Sequence, residues 1–127
     1  MKRSLAIATV VLLSTLGLSA PAGAATDPAV LQGQADRLYS AYFLRDPDLK
    51  GLQFWVERLT GGESLRSVSQ FFSESEEFDE RYGELDDGEF VDLVYQNVLD
   101  RLPDATGRAF WIERLGSGTD DRGGVMV

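Results

Sequence analysis

The sequence predicts an all-α protein: two tandem helical repeats packed into one small domain, the second repeat truncated. Three observations predict it. Residues 39–59, YSAYFLRDPDLKGLQFWVERL, recur as residues 95–115, YQNVLDRLPDATGRAFWIERL, at an offset of 56 with no gap. Ten of the 21 aligned positions are identical, including both tryptophans of the protein, and repeated units of this kind stack to complete one another's cores. Apolar residues recur at helical spacing around each motif, and no alternation of period two persists long enough to mark a strand. Two copies are fewer than a solenoid needs, so a closed pair is expected rather than an open array.

The elements follow in order. Leu31, Ala35, Leu38 and Tyr42 lie 4, 3 and 4 residues apart, which puts them on one face of a first helix. Pro47 interrupts that pattern and pushes the residue before it out of the α region. Asp48 is placed to cap a second helix carrying Leu52, Trp55, Val56 and Leu59, which stops at Gly61-Gly62. Ser64 to Phe72 gives a third helix through Leu65, Val68 and Phe71-Phe72, and Ser73 with Glu76 is read as the cap of a short fourth segment ending at Phe78 to Tyr82. The second copy starts on Asp86 with Glu89 three residues later, a capping-box pattern. Its first helix carries Phe90, Val94 and Val98, with Val91 and Tyr95 widening the stripe. Pro103 and Asp104 repeat the interruption and the cap, and the following helix holds Trp111, Ile112 and Leu115 up to Gly116–Gly118. The first repeat is read as about 34–82 and the second as about 88–127.

Composition narrows the chemistry. The 127 residues include 12 Lys+Arg, 21 Asp+Glu, no histidine and no cysteine, for a net charge of −9. A Ser-His-Asp triad, a cysteine nucleophile and a His/Cys zinc site are excluded. The acidic balance argues against nucleic acid, which needs clustered Lys and Arg. The N-terminus reads as a leader: Lys2 and Arg3, an apolar stretch from Leu5 to Leu18, then Ala22-Gly23-Ala24, or Gly23-Ala24-Ala25 one residue on, as the small-x-small site for signal peptidase. The stretch is shorter than the roughly 20 residues that span a bilayer. Residues 1–25 are therefore expected to be removed, leaving a secreted chain of 102 residues, with net charge −11 once Lys2 and Arg3 are lost, and no membrane attachment.

The ordered motif Tyr-x5-Arg-x-Pro-Asp-x2-Gly-x2-Phe-Trp-x-Glu-Arg-Leu, then Gly-Gly-x-Ser-Leu, then Phe-Phe-Ser-Glu-Ser-Glu-Glu-Phe resembles the DUF4214 family. These are helical modules of bacterial extracellular and surface-layer-type proteins, with a fold similar to the phycobilisome linker domain. The resemblance covers about Gln34 to Leu115 and implies an interaction or assembly module without catalytic residues. Two positions depart from the family pattern. The family often has a left-handed glycine before the motif arginine, where this chain has Leu44 and Asp100. Asp tolerates that conformation and Leu does not, so a different first turn is expected. At the offset of 56, Val127 aligns with Phe71, so the third helix of the second copy is expected to be cut short. Gly123-Gly124 should weaken that helix by about 1 kcal/mol each.

The candidate residues are those of the repeated motif: Arg45, Pro47, Asp48, Gly51 and Trp55, with Arg101, Pro103, Asp104, Gly107 and Trp111. Arg45 and Arg101 are read as structural, bonding free helix-end carbonyls and forking onto Asp48, Glu57 or their equivalents, with an anion site as the alternative. Adjacent aromatics cannot share one helix face, so one of each pair Phe54-Trp55 and Phe110-Trp111 should be partly exposed, where it could stack on sugar rings. Asp46, Asp48 and Glu57 fall on an EF-hand-like spacing, but Lys50 and Leu102 stand where oxygens belong, so calcium is a weak cofactor candidate and no other cofactor is indicated. The leading functional expectation is a secreted, non-catalytic helical module that binds a cell-surface component or another secreted protein. A calcium-responsive module is the alternative, and a glycan-active enzyme using paired carboxylates such as Glu57 and Glu113 is a remote one. The truncated second repeat also suggests self-association.

Overall fold

The computed structural model describes residues 27–127; the leader assigned to residues 1–25 and its cleavage site lie outside the described residues. Seven helices and no strand occur among the described residues: α1 Pro28–Phe43, α2 Leu49–Thr60, α3 Leu65–Ser73, α4 Glu76–Tyr82, α5 Asp87–Leu99, α6 Ala105–Gly116 and α7 Arg122–Met126. Each begins on an Asp or Ser side chain that accepts a backbone N–H of its first turn. Such caps satisfy donors the helix leaves orphaned and are each worth about 1 kcal/mol. Asp86 and Glu89 form the full capping box, with reciprocal bonds of 2.8 and 2.9 Å. α1 begins at Asp27-Pro28, where proline at the first helical position costs no hydrogen bond. One start differs from expectation. α4 is capped by Ser75, not Ser73, whose hydroxyl instead donates to the Gln70 carbonyl at 2.8 Å.

Both first helices end in the left-handed conformation, Leu44 at φ 52° and Asp100 at φ 50°. The expectation that Leu44 would force a different turn is corrected. Its amide donates to the Ser40 carbonyl at 3.1 Å, as that of Asp100 does to Gln96, and the local geometry of the motif outweighs the cost of a Cβ there.

The two units pack counterpart on counterpart. α1 meets α5 and α3 meets α7, while α2 and α6 pack on the first helix of their own units. Asn97 donates to the carbonyl of Ala41 at 2.8 Å, and these are the same position of the two copies, 56 residues apart. That arrangement marks an approximate two-fold relation, a closed pair rather than an array. The core lies between the units: Ala35, Tyr42, Val68, Phe78, Phe90 and Val91 are fully or almost fully buried. Phe72 lies 4.9 to 5.7 Å from the rings of Tyr39, Tyr42, Phe43 and Trp55, and Tyr42 shares a buried 2.9 Å hydrogen bond with Ser69. Val98, placed in the core stripe by its spacing, is instead 49% exposed.

The third helices are related by 57 residues, not 56. Gly62 and Gly118 both have positive φ, but the ion pair Arg58–Glu63 recurs as Arg114–Asp120, one residue later, because Thr119 is added. Asp121 then caps α7 as Ser64 caps α3, so Val127 corresponds to Gln70 rather than Phe71. The shift brings Gly123 against its counterpart Arg66. A Cβ at 123 would stand 2.5 Å from the Arg66 carbonyl oxygen and 2.7 Å from the Gln70 nitrogen, so only glycine permits this crossing. The Gly123 amide also donates to Gln70 Oε1 at 2.7 Å. Gly123 is thus a packing requirement instead of a weakness.

Gly123→Ala should cost about 1–3 kcal/mol in urea unfolding, because the added methyl meets backbone that cannot yield. Gly116→Ala, in the last turn of α6 with nothing within 4 Å of the new methyl, should stabilise by about 0.5–1 kcal/mol. Leu44→Gly should also raise the unfolding midpoint, since about 1 kcal/mol of left-handed strain is relieved.

Candidate functional site

The repeated motif folds into a corner, once in each unit. In the first, α1 ends at Leu44, Pro47 closes the turn, and Asp48 starts α2 by accepting the Gly51 amide at 2.9 Å. Gly51 is required because a Cβ there would run into the Tyr39 hydroxyl. The Arg45 guanidinium lies 4.9 Å from the Tyr39 ring centre, and Trp55 lies partly buried beside Phe72. The second corner repeats this closely. Asp104 accepts the Gly107 amide at 2.8 Å, a Cβ at 107 would stand 3.0 Å from the Tyr95 hydroxyl, and Arg101 lies 5.3 Å from the Tyr95 ring centre. Phe54 against Trp55 and Phe110 against Trp111 are both edge-on, at 4.8 and 5.1 Å. In each pair the phenylalanine is about half exposed, with Arg58 or Arg114 5.4 Å from its ring, and the tryptophan is partly buried.

The partner of the first arginine was not legible in the motif. Arg45 forks onto Glu77 of α4, Nε to Oε1 and Nη2 to Oε2, both at 2.7 Å, and its third nitrogen donates to the Asp46 carbonyl. Neither Asp48 nor Glu57 takes this place. The Arg45 hydrogen bonds hold the Glu77 carboxyl below the usual glutamate value, against a smaller opposing effect of desolvation. Asp48 is lowered chiefly by the Gly51 amide it accepts. Burial pushes the Tyr39 hydroxyl up, against the pull of Trp55 and Arg45.

The two corners differ in what covers them. Among the described residues α4 has no counterpart in the second unit, and Arg101 makes no ion pair, only a 3.3 Å bond to the Leu102 carbonyl. Phe43 is 3% exposed, whereas its counterpart Leu99 is 51% exposed; Tyr42 is fully buried beside Val98's 49%. Next to this open corner runs a groove of about 460 Å³, lined among others by Gln34, Arg37, Ala41, Asn97, Val98 and Met126.

Asp46, Asp48 and Glu57 do not form a metal-ligating group; among the described residues no cluster of three or more acidic side chains is placed to hold an ion. Asp48 serves its helix cap, and Glu57 accepts from Gln53 at 2.9 Å. Glu57 and Glu113 are both exposed, on α2 and α6. No described helix is long and apolar enough to cross a membrane.

Fold and corners together define a two-unit helical module whose repeated arginine is paired with α4 in the first copy and, among the described residues, makes no ion pair in the second. The family described as Domain of unknown function (DUF4214) matches residues 33–80 and 68–127, and the chain belongs to that family. The end of α3 and most of α4 fall within both matches. No curated protein and no solved structure matches the chain.

Glu77→Gln should lower stability by about 0.5–1 kcal/mol at neutral pH, a modest value because both partners are over a third exposed. Glu77 is lowered on folding, so its contribution is complete above its ordinary value of 4.5 and is lost as pH falls through the folded value. The difference between wild type and variant should therefore shrink in acid-titrated unfolding curves. Arg101→Ala should cost under about 0.5 kcal/mol at any pH. Millimolar calcium should leave the thermal midpoint unmoved, since a cation held by the native state would raise it.

Proposed function

We propose that the protein is a secreted, non-catalytic interaction module that binds a cell-surface component or another secreted protein. One observation carries the reading: each unit presents a half-exposed phenylalanine beside an arginine, Phe54 with Arg58 and Phe110 with Arg114. Exposed aromatic side chains beside arginine are the composition favoured at protein interfaces. The leader pattern in residues 1–25 supports export, and membership of a family without an assigned reaction is compatible with a non-catalytic role. The carboxylates are spent elsewhere: five of the seven helix caps are aspartates, and others neutralise arginines.

The test has two arms. The exported chain, recovered from the medium and sized by mass spectrometry, should start near residue 26. Purified protein should retain envelope fragments or secreted proteins, and Phe54→Ala/Phe110→Ala should lose at least about 90% of that retention, as for an interface hot spot. A strictly monomeric protein that retains neither overturns the proposal.

A further inference from the structure

We infer that an aromatic pocket in the first unit takes a cationic side chain, lysine or arginine, from a basic segment of another protein. The inference rests on the interaction reading and names the chemistry of its partner.

The pocket holds about 120 Å³ and is lined among others by Tyr39 and Phe43 of α1, Trp55 of α2, Phe71 and Phe72 of α3, and Glu77 of α4. Tyr39, Phe43 and Phe72 are core residues, 2 to 6% exposed, whereas Phe71, at 45%, brings the pocket to the surface. Close-packed cores have few voids larger than a water molecule, so space of this size against five rings leaves aromatic faces without partner atoms. At about 30 Å³ for each water-sized group, it accepts roughly four heavy atoms. That is the end of one side chain, well short of the roughly 300 Å³ or more of a small-molecule site.

Charge selects a cation. Aromatic faces attract positive charge, and the chain already uses these rings that way. Arg45 stands 4.9 and 5.8 Å from the Tyr39 and Phe43 ring centres, and Arg58 stands 5.3 Å from that of Phe71. Both arginines are neutralised, Arg45 by Glu77 and Arg58 by Glu63, so neither bars a further cation. The fork from Arg45 takes one lone pair on each Glu77 oxygen and leaves the others as acceptors. It also holds the carboxyl below the usual glutamate value, so Glu77 is charged at neutral pH. Glu77 further lines a broad, shallow depression with Glu76, Glu80 and Arg81, three carboxylates to one arginine. The pocket thus continues into an acidic shelf where neighbouring basic residues of the same segment would lie, on a chain of net charge −9.

The test titrates the ¹⁵N-labelled chain with pentalysine and pentaarginine. Either peptide at millimolar concentration should shift the Trp55 indole and leave the Trp111 indole, on α6, unmoved. Pentalysine acetylated on every side chain should shift neither. Phe71→Ala removes one wall, leaves the Arg45–Glu77 pair in place, and should weaken binding about tenfold. Glu76→Gln/Glu80→Gln should weaken it too and flatten its dependence on salt. No Trp55 shift, equal shifts from the acetylated peptide, or equal movement of Trp111 overturns the inference. So does binding that Phe71→Ala leaves unchanged, since charge alone would then hold the peptide. Free n-butylammonium binding as tightly as pentalysine would also overturn it, by giving the pocket to a small organic cation. If the inference falls and the chain still retains an envelope or secreted ligand, the interaction reading survives without it; if the chain retains none, both fall.

Discussion

With no cysteine available for a disulfide and helices of 5 to 16 residues, each unit depends on the other for burial, and the two meet where α3 crosses α7 at Gly123. Short amphipathic helices are marginal alone and gain most of their stability from packing. The crossing fixes how near the two backbones come, and that distance sets the rest. It seats α1 on α5, encloses Tyr42, Val68 and Phe90, and leaves a slot on either side of the α1–α5 contact. One slot holds α4. The other is the groove at Val98 and Arg37.

The same constraint explains how an acidic chain folds without self-repulsion dominating. Aspartates at helix starts sit at the positive end of the helix dipole and accept its orphan amides, so a negative charge there is stabilising. Most of the arginines act as staples between segments: Arg45 ties α4 to the first corner, Arg66 ties α3 to the residues leading into α7, and Arg122 reaches the Leu85 carbonyl and Asp87 ahead of the second unit. Each exposed pair is worth under about 1 kcal/mol, so they select an arrangement more than they stabilise it.

Much of this was legible in the sequence, because its signals are local. The 56-residue repeat, the caps at Asp48, Asp86 and Asp104, and the helix ends at Gly61 and Gly116 depend on neighbours within a turn. What escaped depends on residues far apart in the chain. Glu77 as the partner of Arg45 lies 32 residues away. Leu44 adopts a conformation its own side chain disfavours because the corner imposes it. The shift from 56 to 57 arises from one residue, Thr119, in a stretch with too few identities to reveal it. Val98 has the spacing of a core residue, but among the described residues no helix packs over it as α4 packs over Tyr42. The repeat did disclose the arginine corners; that one is closed and the other open could be read only from three dimensions.

The Asn97–Ala41 bond and the Arg66–Gly123 crossing share a property that reaches beyond their energies. Both join a position to its own counterpart, and in both a small residue stands against the larger one, Ala41 against Asn97 and Gly123 against the backbone of Arg66. A dimer of identical subunits cannot do this at its axis, where every residue must tolerate a copy of itself. Linking the two units in one chain lifts that restriction, and with it their interchangeability. A chain made of the first unit twice would set Arg66 against Arg66 and Ala41 against Ala41, one pair too large and the other without a donor. The two halves have therefore become lock and key to each other.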